Sequence, residues 1–323
     1  MDKPSAAQAP FFALSDHALL ALEGRDAIAF AQAQFMGDLS KLADGQWQWS
    51  GWLTPKGRLQ ALFALLRVGP ETVWLLLPDG DAEALSAALG RFLFRSKVKL
   101  RVPGDASICG KFSAPTAAAG ASTATDDMGR VEFDFGDGST PRTLRIATGG
   151  EAVDTDANAN AGADAGAAGG FGAEAEAEAD VDTDARARWR AFDIAHGLPR
   201  PGTATLEAFT PQQLSLERLR AYSVHKGCYP GQEIVARTHF LGQAKRGLAL
   251  FGSASAPAAG AQVMEGGRAL GTVVAATAAA GEASGHAALV LAVLPLDRPE
   301  DAPALHADGV ALAPLALRDG LAR

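Results

Sequence analysis

Between His225 and Arg237 the chain gathers a thiol (Cys228), an ammonium (Lys226), a phenol (Tyr229), an amide (Gln232), a carboxylate (Glu233) and a guanidinium. Gly227, Pro230 and Gly231 punctuate the run. Regular elements reject that combination in their interiors, so a shaped loop leading into a strand or helix is predicted. Cys and Tyr favour burial, and a solvated turn has little use for either, so the run reads as a site. His225, Lys226 and Arg237 bring positive charge to Cys228, which favours the thiolate. A thiolate serves as a nucleophile, a redox thiol or one ligand of a cluster completed elsewhere. The alternative is a small hydrophobe that packs the loop.

The elements that must position this run are legible by periodicity. Gly24-Arg25-Asp26 opens a helix with Ile28, Ala31 and Phe35 on one face. The segment 46–53 alternates as a strand, with Trp47, Trp49, Gly51 and Leu53 sharing a face. A flat ligand could use one of the tryptophans here, although core packing is their commoner use. Thr54-Pro55-Lys56-Gly57-Arg58 is a turn, and 59–66 with 72–77 form a hairpin. Asp81 caps a helix whose buried stripe is Leu85, Ala88, Leu89 and Phe92. Strands follow at 97–102, at Val131, Phe133 and Phe135, and at Leu144 with Ile146, while 115–129 reads as a loop and Cys109 as a structural cysteine. Trp189, Phe192 and His196 line a short helix ended by Gly197. Thr210-Pro211 starts another, with Leu216 and Leu219 inward. Beyond 245, short Val/Leu/Ala runs between Gly, Pro and Asp turns predict a small antiparallel barrel over 245–323.

Bulk properties narrow the function. The formal charge is −8, yet ten of the 37 acids fall within 150–185, which holds no Lys or Arg, so the remainder carries +2. That Ala/Gly/Asp/Glu stretch cannot bury enough surface to offset its ordering entropy and predicts a disordered insert over 150–186. Around the opening run the sign reverses, which suits an anionic ligand. Two cysteines, no signal peptide and no membrane-length apolar run point to a cytoplasmic protein without a disulfide framework. No metal-ligand spacing, P-loop, dinucleotide fingerprint, nucleophile elbow or basic nucleic-acid-binding helix is present, so no resident metal and no direct nucleic-acid or membrane binding is expected.

Lys226-Gly227-Cys228-Tyr229-Pro230-Gly231-Gln232-Glu233 resembles the K-G-C-Y-x-G-Q-E signature of the YgfZ-type folate-binding proteins, relatives of the glycine-cleavage T-protein aminomethyltransferase. Gly24-Arg25-Asp26, Pro55-Lys56-Gly57-Arg58, Gly197-Leu198-Pro199, Phe209-Thr210-Pro211-Gln212 and Gly242-Gln243-Ala244-Lys245-Arg246 extend the likeness in the right order. The resemblance implies an α+β (mixed α/β) fold: a GcvT-like, ring-shaped folate-binding region over 10–149 and 187–244, followed by the barrel. It also implies tetrahydrofolate, or a one-carbon-substituted form, as cofactor, and iron–sulfur enzymes or assembly proteins as partners. The implied role is iron–sulfur cluster assembly or repair and iron–sulfur-dependent tRNA modification. On this resemblance Trp189, His17, Tyr229, Gln232 and Arg237 bind folate, while Cys228, Lys226 and Glu233 carry chemistry. Trp189 matches a folate-associated tryptophan of the family, and His17 stands where relatives can carry a second. The transferase uses a carboxylate from the strand after its glycine turn, where this chain has Gln60 and Ala61. An accessory folate-binding factor is therefore favoured over the alternative, a folate-dependent aminomethyl or one-carbon transferase.

Overall fold

A computed structural model describes residues 10–149, 171–242, 244–279, 285–299 and 302–323. The chain divides into two compact units, Met1–Ser15 with Gly104–Arg186, and Asp16–Pro103 with Ala187–Arg323. The first unit contains an antiparallel sheet of β1 (Phe12–Ala13), β7 (Ser107–Lys111), β10 (Thr143–Ala147), β9 (Val131–Asp134) and β8 (Ala124–Thr125), in that spatial order. Cys109 is buried in β7 beside Ala147, as a structural cysteine should be.

The second unit opens with β2 (His17–Glu23), α1 (Ala27–Gln34), β3 (Gln46–Leu53), β4 (Leu59–Gly69), β5 (Thr72–Pro78), α2 (Ala82–Gly90) and β6 (Lys99–Arg101). The strands form an antiparallel sheet in the order β3-β4-β5-β2-β6. Both helices pack on one face of it, burying Leu20, Leu22, Phe30, Phe35, Phe63, Leu75 and Leu85. Trp52 belongs to this helix-covered face, whereas Trp47 and Trp49 take the opposite parity on β3. Over Gln46–Trp49 the glutamines are half-buried and the tryptophans buried in alternation, and from Ser50 to Leu53 both parities are buried. Asp81 caps α2 by accepting the Ala84 N–H at 2.8 Å.

Two stripes end earlier than predicted. Phe35 lies one residue past α1, and Phe92 lies beyond α2 and is exposed. The acidic stretch also differs. Residues 150–170 lie outside the described ones, but α3 (Phe171–Ala195) is helical through the part of the insert that was expected to be disordered. Ala and Glu are strong helix formers, and the stretch runs directly into the apolar turn around Trp189 and Phe192. After Thr210-Pro211 no full helix forms. Thr210 N–H donates to Gln213 Oε1 (3.0 Å) and Gln213 N–H to Thr210 Oγ1 (3.3 Å), a cap geometry. The chain then reaches Ser215 at φ 50°, and only a short 3-10 turn, Leu216–Leu219, follows.

α4 (Gln232–Leu241) begins within the signature run. The chain ends in a closed antiparallel barrel of β11 (Arg246–Ser253), β14 (Ala288–Pro295), β13 (Arg268–Ala278), β12 (Gln262–Glu265), β15 (Leu305–Ala307) and β16 (Val310–Leu315), around Phe251, Val263, Val273, Val290 and Leu312. The barrel is where the sequence placed it. The Phe63 ring is fully buried and meets Phe35 edge-on at 4.9 Å. Phe63→Ala should therefore lower unfolding free energy by about 3–5 kcal/mol in chemical denaturation, and a change below about 1 kcal/mol would mean the helix-covered face is not the core described.

Candidate functional site

The signature run is held from several sides. Gly231 at φ 77° adopts a backbone conformation that side chains resist, and a Cβ there would lie 2.6 Å from the Thr54 carbonyl oxygen and 2.7 Å from Gly57 Cα. A Cβ on Gly57 would lie 2.8 Å from Ile234 Cβ, so the Thr54–Arg58 turn and the start of α4 touch through two glycines. Arg58 donates to the Ala208 carbonyl (2.6 Å) and to Gln213 Oε1 (3.1 Å). Gln212 donates to the Val235 carbonyl at 2.9 Å. Two of the scattered pieces of the resemblance, Pro55–Arg58 and Phe209–Gln212, thus meet at the start of α4.

Lys226 is the brace's buried pin. Its ammonium donates to the carbonyls of Gln32 (2.5 Å), Phe35 (2.6 Å) and Gly37 (2.8 Å), at the carboxyl end of α1, where a cation is favoured. An ammonium has three N–H groups, and all are committed here. Its Nζ also lies 5.1 Å from the centre of the Tyr229 ring. Lys226 therefore serves the end of α1, where all its hydrogen bonds are made. Tyr229 is buried and donates to the Ser223 carbonyl (3.1 Å), and burial pushes its phenol up to about 12. Gln232 donates to the Lys226 carbonyl at 3.0 Å. Tyr229 and Gln232 hold the loop.

What the brace leaves outside is the thiol. Cys228 is exposed, with exposed Gly227 before it and buried Tyr229 after it. A cysteine packing the loop as a small hydrophobe would be buried, so that alternative is not realised. Glu233 and Arg237 are exposed on α4.

A separate cleft of about 420 Å³ lies between β3, β4, the end of β5, α2 and the segment 201–207. Trp52, Leu62, Leu77, Pro78, Leu85 and Leu206 supply apolar walls, and Gln60 and Ala61 line it too. Trp52 is 5% exposed, and its indole N–H finds no acceptor among the described residues. A buried donor without an acceptor is rare in folded proteins. The residues expected to bind folate are not in this cleft. Trp189 is 0% exposed, so its indole offers no open face for stacking. His17 is buried at the start of β2, with Nδ1 2.7 Å from Asp16 Oδ1. Of the three tryptophans of β3, Trp52, on the helix-covered face, is the one that lines the cleft.

One wall of the cleft is fixed by charge. Arg200, fully buried, contacts Asp16 (2.7 Å), Asp79 (3.0 Å) and Asp193 (3.4 Å), and Asp79 also pairs with Arg190. Burial alone would lower the guanidinium's pKa, but Asp193, Asp16 and Asp79 raise it. Burial would likewise raise Asp16, yet His17 and Arg200 hold its carboxyl far below the usual range. No cluster of three or more His, Cys, Asp or Glu side chains suited to a metal ion occurs among the described residues.

Burial brings the Lys226 ammonium down to about 8, against the pull of Asp38 in the other direction. Between that value and an unfolded lysine near 10.4, the unfolded chain holds the proton that the folded chain has released, so stability rises with pH across this window. The stability difference between wild type and Lys226→Met should therefore grow in wild type's favour from pH 8 upward, with the opposing tyrosine titrations cancelling in the difference. A flat difference contradicts the buried ammonium.

Comparison with known proteins now bears on the fold. No family model matches the chain. An uncharacterised protein of Haemophilus influenzae is 25% identical over 242 residues, 75% of this chain and 72% of that protein. Heterotetrameric sarcosine oxidase from Corynebacterium sp. U-96 overlaps 43% of this chain and 74% of its own at 13% identity, but with a TM-score of 0.26, too low to carry an argument. The glycine cleavage system aminomethyltransferase T from Bartonella henselae superposes with a TM-score of 0.68 at 16% identity, covering 96% of this chain and 86% of that one. The fold is GcvT-like, of mixed α and β content, with a closed barrel at its C-terminal end.

Proposed function

We propose that this chain is a tetrahydrofolate-binding accessory protein that supports iron–sulfur cluster assembly or repair, and through it iron–sulfur-dependent tRNA modification, with Cys228 as its working thiol. The observation that carries this reading is the exposed Cys228 on a loop whose neighbours Lys226, Tyr229 and Gln232 are all anchored inward. A brace of this kind spends its hydrogen bonds on presenting one reactive atom at a fixed place, which suits a thiol that meets a partner protein or its cluster. Cysteine thiolates are the usual ligands of iron–sulfur clusters, and one thiol requires the partner to supply the rest.

The cofactor reading rests on the GcvT-like fold, on the family resemblance and on the cleft. About 420 Å³ falls within the range of small-molecule sites, and the apolar walls suit a flat heteroaromatic ring. Trp52 would form part of the apolar wall against such a ring. Tetrahydrofolate, when bound, supplies a carrier for a one-carbon unit. Gln60 and Ala61 put no carboxylate on the strand where the transferases carry one, which favours an accessory role over aminomethyl transfer.

Two variants separate the parts of this reading. Cys228→Ala should bind tetrahydrofolate as wild type does, yet fail to restore an iron–sulfur enzyme in cells lacking the protein. Trp52→Phe should weaken binding about five- to tenfold and reduce the fluorescence change on titration. Full rescue by Cys228→Ala would remove the thiol from the account. No binding of tetrahydrofolate by wild type would remove the cofactor.

A further inference from the structure

On the surface where α2 gives way to β6, cations and aromatic rings are interleaved. Residues 91–101 carry five cations, Arg91, Arg95, Lys97, Lys99 and Arg101, and no acid. Arg101 is taken by Glu23 at 2.8 Å. The other four are exposed, and none has an ion-pair partner among the described residues. The nearest carboxylate, Asp26, accepts the Lys97 backbone N–H at 2.7 Å and lies 3.9 Å from Arg25. Between these cations Phe94 is 91% exposed and Phe92 48%.

The patch is held in place from beneath. The Phe92 ring meets Trp52 edge-on at 5.8 Å, and Ser96 N–H donates to the Leu93 carbonyl at 2.6 Å. Leu93, Val98 and Leu100 pack against the core under the sheet. Two ordinary readings each cover half of what is seen. Lysines at an edge strand such as β6 discourage a second chain from pairing with it. A single exposed phenylalanine needs no explanation. Neither accounts for two exposed rings set among four unpaired cations, because an edge protected by charge gains nothing from phenyl rings beside it.

We infer that the segment 91–99 is a binding surface for single-stranded RNA, with Arg91, Arg95, Lys97 and Lys99 on phosphates and the Phe94 ring stacked on an unpaired base. Every base has a flat face, so such a surface tolerates many sequences. The Arg95 guanidinium lies over the Phe94 ring, 5.4 Å from its centre. Entering hydrocarbon, the ring would draw that charge after it, which disfavours a lipid surface. The chain as a whole carries −8 and repels a polyanion, so attraction has to be local. The choice of RNA over DNA rests on the tRNA-related role proposed above, while the surface itself depends on neither folate nor Cys228. Sequence analysis looks for a basic helix and finds none; here the cations sit on a turn and an edge strand.

The test is fluorescence anisotropy of the full chain with a labelled oligouridine of about 12 nucleotides, within the span that one such site covers. Four phosphate contacts should make log K fall with log salt at a slope of about −3, from about 0.7 per phosphate on a single strand. Phe94→Ala should bind about tenfold more weakly with that slope unchanged, because the ring stacks and carries no charge. Lys97→Gln with Lys99→Gln should bind more weakly and flatten the slope by about 1.4. These variants change exposed side chains and should melt as wild type does, and Cys228→Ala should bind the oligonucleotide as wild type does. A wild type that fails to bind at about 50 mM salt overturns the inference. So does equal affinity for a duplex, tighter binding of oligothymidine, or a Phe94→Ala variant that binds like wild type. Capture of phosphatidylserine vesicles by wild type and not by Phe94→Ala, without oligouridine binding, overturns it in favour of a membrane. In each of these cases the cofactor and thiol readings stand, since neither uses this surface.

Discussion

The fully buried guanidinium of Arg200 is the constraint on which the cleft depends. It gathers Asp16 before β2, Asp79 after β5 and Asp193 near the end of α3, joining segments far apart in sequence. Charges removed from water are tolerated only when paired, and taking one member from such a cluster typically costs about 3–5 kcal/mol. The cluster does more than balance charge. Asp79 begins the turn that runs through Gly80 and Asp81 into α2, and Arg200 precedes the Pro201–Gly202 segment on the opposite wall. Holding those two residues together sets how far apart the walls stand. A second cavity of about 290 Å³, lined by Asp79, Arg190, Arg200 and Gly202 with part of β13, lies on the other side of the same pair.

The signature run obeys a different logic. Half of its six chemically interesting side chains are inward-facing supports: Lys226 on the end of α1, Tyr229 on the Ser223 carbonyl, Gln232 on the Lys226 carbonyl. Gly231 is there because the Thr54–Arg58 turn leaves no room for a Cβ. Cys228 is exposed on the loop, and Glu233 and Arg237 are exposed on α4. A run that looks like a crowded catalytic cluster in one dimension becomes, in three, a mount for one exposed thiol. Cys228 and its loop are not among the residues that line the cleft.

Much of this was visible in the sequence. Alternation and turn residues placed β3, the β4–β5 hairpin, the Asp81 cap and the C-terminal barrel, because each is a local pattern. The barrel strands β12 and β15 were not anticipated, since they are only four and three residues long. The Lys226 clasp reads as thiol activation in sequence because Cys228 is two residues away, while its acceptors are about 190 residues away. The Arg200 cluster has no local signature at all. Trp189 was favoured for ligand binding through a resemblance, but helix packing buries it completely, and the choice of Trp52 depends on which face of β3 meets α2.

The central claim is that the cleft between β4, α2 and the segment 201–207 is where the ligand sits. Hydrogen–deuterium exchange of the full chain, with and without saturating tetrahydrofolate, reads that location directly. The account predicts that protection rises at 201–209, at 59–62 and at the start of α2, with the loop around Cys228 unchanged. Protection confined to the Cys228 loop and α4, with the cleft segments unaffected, would contradict it.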